Sequence, residues 1–120
     1  MTAAAFVLTN ASTGKIIAAH LERPRGWIRR SIGLIGRSRL DVGAGLWLER
    51  CWGIHTVGVR FPLDILFLGA DFRVVGFVRG VKPGRLAVVN ALSKHVIELP
   101  AGTLDGADLL VGDKVRLFEA

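Results

Sequence analysis

Apolar residues in this chain come in short runs, each ended within a few positions by Gly, Asn or Asp. Phe6-Val7-Leu8, Ile16-Ile17-Ala18, Leu46-Trp47-Leu48 and Ile65-Leu66-Phe67-Leu68 have the length of strands and fall short of an ordinary helix. No repeat, linker or low-complexity tract interrupts this rhythm. It predicts a mainly-β domain spanning 1–120, with about seven strands and one or two short helices. A β-sandwich and a distorted barrel both satisfy the pattern.

Turn chemistry places the elements. Asn10 to Gly14 supplies a turn between the first two runs, because Asn and Gly tolerate backbone angles that other residues resist. Leu46 to Cys51 follows Gly43-Ala44-Gly45 as a strand. The run after Asp64 is almost continuously apolar, which predicts a central strand buried on both faces. Gly69-Ala70-Asp71 returns it into a hairpin partner, Arg73 to Val78. Residues 81–89 read as irregular around Lys82-Pro83-Gly84. His95 to Leu99 and Val115 to Phe118 read as strands, and Thr103 to Leu110 as a short helical turn. Trp27, Ile28, Ile32, Leu34 and Ile35 recur at helical spacing, and Gly36 can close a helix there.

Composition narrows the class. A chain of 120 residues that is 51% hydrophobic, with 15 Gly, is neither disordered nor fibrous. A single cysteine, Cys51, excludes an intramolecular disulfide, and no run reaches the length of a membrane-spanning helix. With no signal-like leader at the N-terminus, a cytoplasmic location is expected. The net charge of +6 is uneven, with six arginines and no acid between Arg23 and Arg39. Such a segment raises nucleic acid or another polyanion as a partner.

Several segments together resemble one family. Phe61-Pro62-Leu63-Asp64-Ile65-Leu66-Phe67 resembles its P-L-D-I-x-F motif, and Val96 to Gly102 its V-L-E-L-x-A-G. Val111 to Val115 resembles V-G-D-x-V, Arg30 to Arg37 resembles R-x-x-G-L-M-x-R, and Gly45 to Leu48 stands where the family has G-M-L-F. The motifs run in order from about residue 25 to residue 117, and the family is the one called domain of unknown function 192. The resemblance implies a compact mainly-β fold and no reaction. Many members carry W-M-K-N-T before the P-L-D. Here His55-Thr56-Val57-Gly58-Val59 and Arg60 occupy that stretch, so no role of that Lys and Asn transfers.

The candidate site residues follow from burial and chemistry. Asp64 leads an apolar run, and a buried carboxylate must be paired, hydrogen-bonded or functional. His55 and Thr56 fall before the Pro62 turn, where a sheet rim would put them. Arg60 adjoins them. Arg30 and Arg37 bracket the expected helix and carry forks suited to carboxylate or phosphate. Glu98, between Ile97 and Leu99, reads as a partly buried strand residue paired to an arginine. Cys51 and His55 lack the further ligands of a metal site, and no cofactor motif is present. The expectation is a non-enzymatic binding domain with a rim pocket for a small polar or anionic ligand, formed by Asp64, His55, Thr56, Arg60, Arg37 and Arg30. Nucleic-acid binding, less favoured, and an enzyme using Asp64 and His55 are the alternatives.

Overall fold

The computed structural model describes residues 5–26 and 33–120. Nine strands form: β1 Ala5–Asn10, β2 Ile16–Glu22, β3 Ala44–Glu49, β4 Gly53–Ile54, β5 Leu63–Leu68, β6 Val74–Val81, β7 Val88–Val89, β8 His95–Pro100 and β9 Val115–Glu119. Seven make one curled sheet in the order β6-β5-β8-β3-β2-β1-β9, while β4 and β7 pair separately. The fold is mainly β, and of the two expected architectures the curled half-barrel is the one adopted.

Neighbours in the large sheet run antiparallel, apart from the parallel pair β2–β3. Parallel neighbours need a crossover connection rather than a tight turn. The basic segment between Glu22 and Ala44 is that connection.

The sheet curls until its two edges meet at one end. Arg73 and Lys114 form an isolated antiparallel bridge. The Val74 amide donates to the Asp113 carbonyl at 2.8 Å, and the Val115 amide to the Phe72 carbonyl at 3.0 Å.

Two apolar clusters lie on the two faces. The inner one gathers Phe6, Leu8, Trp47, Leu66, Leu68, Ile97 and Leu99. The outer one gathers Leu34, Leu46, Leu48, Leu63, Ile65, Phe67 and Val96. Side chains alternate across a strand, so a strand serving both clusters must be apolar at nearly every position. That is why β5 reads Leu-Asp-Ile-Leu-Phe-Leu and is buried throughout. Gly45 sits where strands crowd: a Cβ there would lie 2.5 Å from the Glu98 carbonyl oxygen.

The two expected helical segments differ in how much of each is described. Residues 27–32 of the expected Trp27–Gly36 helix lie outside the described residues. Residues 33–36 form a turn, closed by the Arg37 amide on the Leu34 carbonyl at 3.2 Å. The expected Thr103–Leu110 turn is a 3-10 helix over Thr103–Gly106.

Candidate functional site

Asp64 is fully buried. It alternates with Leu66 and Leu68, so its carboxyl lies on the inner side of the sheet. Oδ1 accepts the Gly80 amide at 2.9 Å, and Oδ2 accepts the Gly102 and Leu104 amides at 3.0 and 2.9 Å. Gly102, at φ 93°, reverses the chain after β8 so that two amides converge on one oxygen. Gly80, at φ 61°, turns the end of β6 toward the other. Three backbone donors supply what a buried carboxylate needs, and they make Asp64 a knot joining β5, β6 and the turn after β8.

Thr56 is a second knot. Its hydroxyl donates to the Lys82 carbonyl at 2.8 Å and accepts the Arg85 amide at 2.9 Å. Its own amide donates to the Arg85 carbonyl, and its carbonyl accepts the Gly84 amide, both at 2.9 Å. The Lys82-Pro83-Gly84 turn is thereby fixed against residues 55–57.

His55, exposed beside that knot, lines an open hollow of about 380 Å³ with Arg50, Cys51, Trp52, Gly53, Ile54, Leu86 and Val89. Trp52 is 63% exposed and Leu86 is 85% exposed. Arg50 holds φ 49°, a left-handed conformation unusual for a residue with a Cβ. The Cys51 thiol donates to the Gly53 carbonyl at 3.1 Å. Cys51 and His55 share the hollow, yet no group of three or more His, Cys, Asp or Glu among the described residues could hold a metal ion.

Arg37 belongs to a different place, the outer face. Register aligns Glu22 with Leu46, Leu46 with Glu98, and Glu98 with Ile65, one transverse row across β2, β3, β8 and β5. Leu46 and Ile65 belong to the outer cluster, so Glu22 and Glu98 face outward with them. Arg37 donates to Glu22 Oε2 at 3.1 Å. Burial pushes the Glu98 carboxyl up to about 7, with the Arg37 charge acting in the opposite direction.

The five expected site residues that are described are therefore dispersed. His55 lines the hollow, and Thr56, its buried neighbour, does not. Arg37 lies beside Glu98 on the outer face, whereas Asp64 lies on the inner one. Arg60 is exposed and does not line the hollow, and Arg30 lies outside the described residues. Arg50, Trp52 and Leu86 were not expected at a site. An exposed tryptophan next to Cys51 and Gly53 was the one available signal.

Three of the four described arginines of the basic segment are ion-paired, and Arg25 is exposed without such a pair. Arg23 pairs with Glu49 at 3.2 Å and lies 4.6 Å from the Phe6 ring centre and 5.1 Å from that of Trp47. Arg37 pairs with Glu22, and Arg39 with Asp41 at 3.1 Å. No helix among the described residues is long and apolar enough to cross a membrane.

A curled seven-stranded sheet, one edge-to-edge clasp and a small second sheet define a class of mainly-β domain. Solved structures share it. A protein of unknown function from Novosphingobium aromaticivorans superposes with a TM-score of 0.79 at 24% identity, over 93% of this chain and 83% of that one. A candidate transcription regulator from Sinorhizobium meliloti gives 0.79 at 22% identity, over 97% and 96%. The chain belongs to the DUF192 family, described as uncharacterised, whose model matches residues 8–117. It is similar to the UPF0127 protein PF1050 of Pyrococcus furiosus, 28% identical over 91% of this chain and 96% of that protein. The UPF0127 protein PH1112 of Pyrococcus horikoshii is 34% identical over 65 residues, 54% of this chain, and that match spans 56% of the PH1112 protein.

Proposed function

We propose that this chain is a small binding domain whose ligand is a sugar ring carrying an anionic group, such as a uronic acid or a sugar phosphate. The hollow beside His55 carries the reading. Its volume of about 380 Å³ is in the range of small-ligand pockets. It combines an exposed indole, Trp52, with a guanidinium, Arg50, and an imidazole, His55. An indole face takes the apolar side of a ring, and a guanidinium takes a carboxylate or phosphate through paired donors. The Thr56 knot keeps the neighbouring turn in place, so little ordering is left for the ligand to impose.

Binding is better supported than chemistry. An enzyme built on Asp64 and His55 would need the two side chains at one place, whereas Asp64 is fully buried on the inner side, held by three backbone amides, and His55 lines the exposed hollow. Polyanion binding through the crossover would have to displace carboxylates from Arg23, Arg37 and Arg39, which leaves Arg25 as the one described arginine there without an ion pair.

Isothermal titration with glucuronate, glucose 6-phosphate and glucose tests the reading. The two anionic sugars should give saturable heat, and glucose should bind more weakly. Trp52→Ala and Arg50→Gln should each weaken binding by about tenfold, about 1.4 kcal/mol. Absence of saturable heat with all three sugars, or full binding by both variants, would refute the proposal.

A further inference from the structure

We infer that Glu98, Arg37 and Glu22 form a second binding site, on the outer face of the sheet, that takes a small organic cation bearing a primary ammonium or guanidinium group. The inference is independent of the hollow beside His55, since it involves other residues.

The argument begins from a contrast between two carboxyls in adjacent strands. Asp64 in β5 is fully buried, and the fold brings three backbone amides to it. Glu98 in β8 is only 7% exposed, and no hydrogen-bond donor among the described residues reaches its carboxyl. Both amides that turn in after β8 go to Asp64. A carboxyl serving only the fold would be expected to have such partners, because burying an unpaired one costs several kcal/mol, of order.

The opening at Glu98 is narrow but real. No fully enclosed side-chain oxygen or nitrogen among the described residues lacks a hydrogen-bond partner. The unpartnered Glu98 oxygens are therefore not sealed in, and the residual exposure of the residue is at its carboxyl end.

Charge then selects the ligand. Glu22 and Glu98 face the same way, two strands apart, roughly 10 Å at the usual strand spacing. The Arg37 guanidinium acts on both, but its 3.1 Å contact is with Glu22. With Glu98 ionised, the described trio of Glu22, Glu98 and Arg37 carries a net charge of −1, and Glu98 is flanked in its row by the apolar Leu46 and Ile65. This acidic spot stands on a protein of net charge +6, so the overall composition does not account for it. A monovalent cation balances it and supplies the missing donors. The described residues offer no group of three or more acids, histidines or cysteines for a metal ion, and an organic cation, whose N–H groups donate to a carboxylate directly, supplies the missing donors.

The ligand must compete with a proton. A cation binds the ionised carboxyl, whereas burial favours the neutral one. Among the described residues, Arg37 and Glu22 are the charged groups facing Glu98, and Leu46 and Ile65 are its neighbours on the flanking strands. Uptake of the cation therefore releases a proton, and affinity should fall about tenfold from pH 8 to pH 6.

The experiment uses the whole chain, with n-butylammonium and agmatine as probes and n-butanol and butyrate as controls, read by calorimetry at pH 8 and pH 6. Expected are saturable binding of the two cations at pH 8, about tenfold weaker binding at pH 6, and none for butyrate. Glu98→Gln keeps size and shape and should lose cation binding at both pH values. Arg37→Gln frees Glu22 and should strengthen it. No cation binding at pH 8, binding unchanged in Glu98→Gln, or stronger binding of butyrate than of butylammonium would each overturn the inference.

Discussion

Replacing Asp64 tests whether one side chain holds three segments together. In Asp64→Ala the amides of Gly80, Gly102 and Leu104 all lose their acceptor. The three losses are unequal. Leu104 is 3% exposed, so its amide has no route to water and should cost about 2 kcal/mol. Gly80 and Gly102 belong to exposed residues, where water can replace part of the bond, at about 1 kcal/mol each. The total of about 4 kcal/mol is a large share of the ~5–15 kcal/mol that holds a domain folded. With a urea dependence of about 2 kcal/mol per molar, the midpoint should fall by about 2 M. Asp64→Asn keeps one acceptor but turns its amide nitrogen toward a backbone N–H, and should lose about half as much. Hydrogen exchange gives a second readout: Leu104 should lose more protection than Gly80 or Gly102. A midpoint shift below about 0.3 M in Asp64→Ala, or protection unchanged at Leu104, would refute the assignment of Asp64 as the knot.

Two pH effects should oppose one another. Glu98 is raised to about 7 in the folded chain from an ordinary value of 4.5, so the folded state holds its proton longer. That contribution to stability is whole below pH 4.5 and falls away as pH rises to 7, by about 3 kcal/mol; urea melts of Glu98→Gln should lack this decline. His95 is lowered from 6.5, mainly by burial and against the opposing charge of Glu49. Its Nδ1 accepts the Trp47 indole N–H at 3.1 Å, a bond that protonation there would break. Its contribution is present above pH 6.5 and is lost as pH falls, so melts of His95→Gln should show a weaker acid decline between pH 6.5 and pH 5 than the parent chain.

What could be read from the sequence follows from how local each signal is. The hairpins around Asn10 to Gly14 and Gly69 to Asp71 are written in neighbouring residues, and so is the doubly buried β5. The pairing of β4 with β7 joins two-residue strands far apart in sequence (Gly53 with Val89, 36 positions), and no local pattern encodes it. The helical spacing from Trp27 to Gly36 ends in a turn at residues 33–36, where Leu34 enters the outer core. Asp64 is legible as a buried carboxyl, whereas Thr56 reads as a rim residue; the partners of both are not legible, because backbone amides carry no sequence signature. Glu98 reads as a partly buried strand acid paired to an arginine, and register sets it in one row with Glu22, with Leu46 between them.

The clasp at Arg73 and Lys114 joins only one end of β6 to β9. Beyond it, both strands are paired on one side only and present a ladder that another chain could extend. The exposed residues there include Arg79, Arg116 and Glu119, and Gly80 bends the backbone out of strand geometry at the open end of β6. Charge and curvature are the features at these edges that oppose strand addition by a second copy, on strands that also expose Val78 and Phe118.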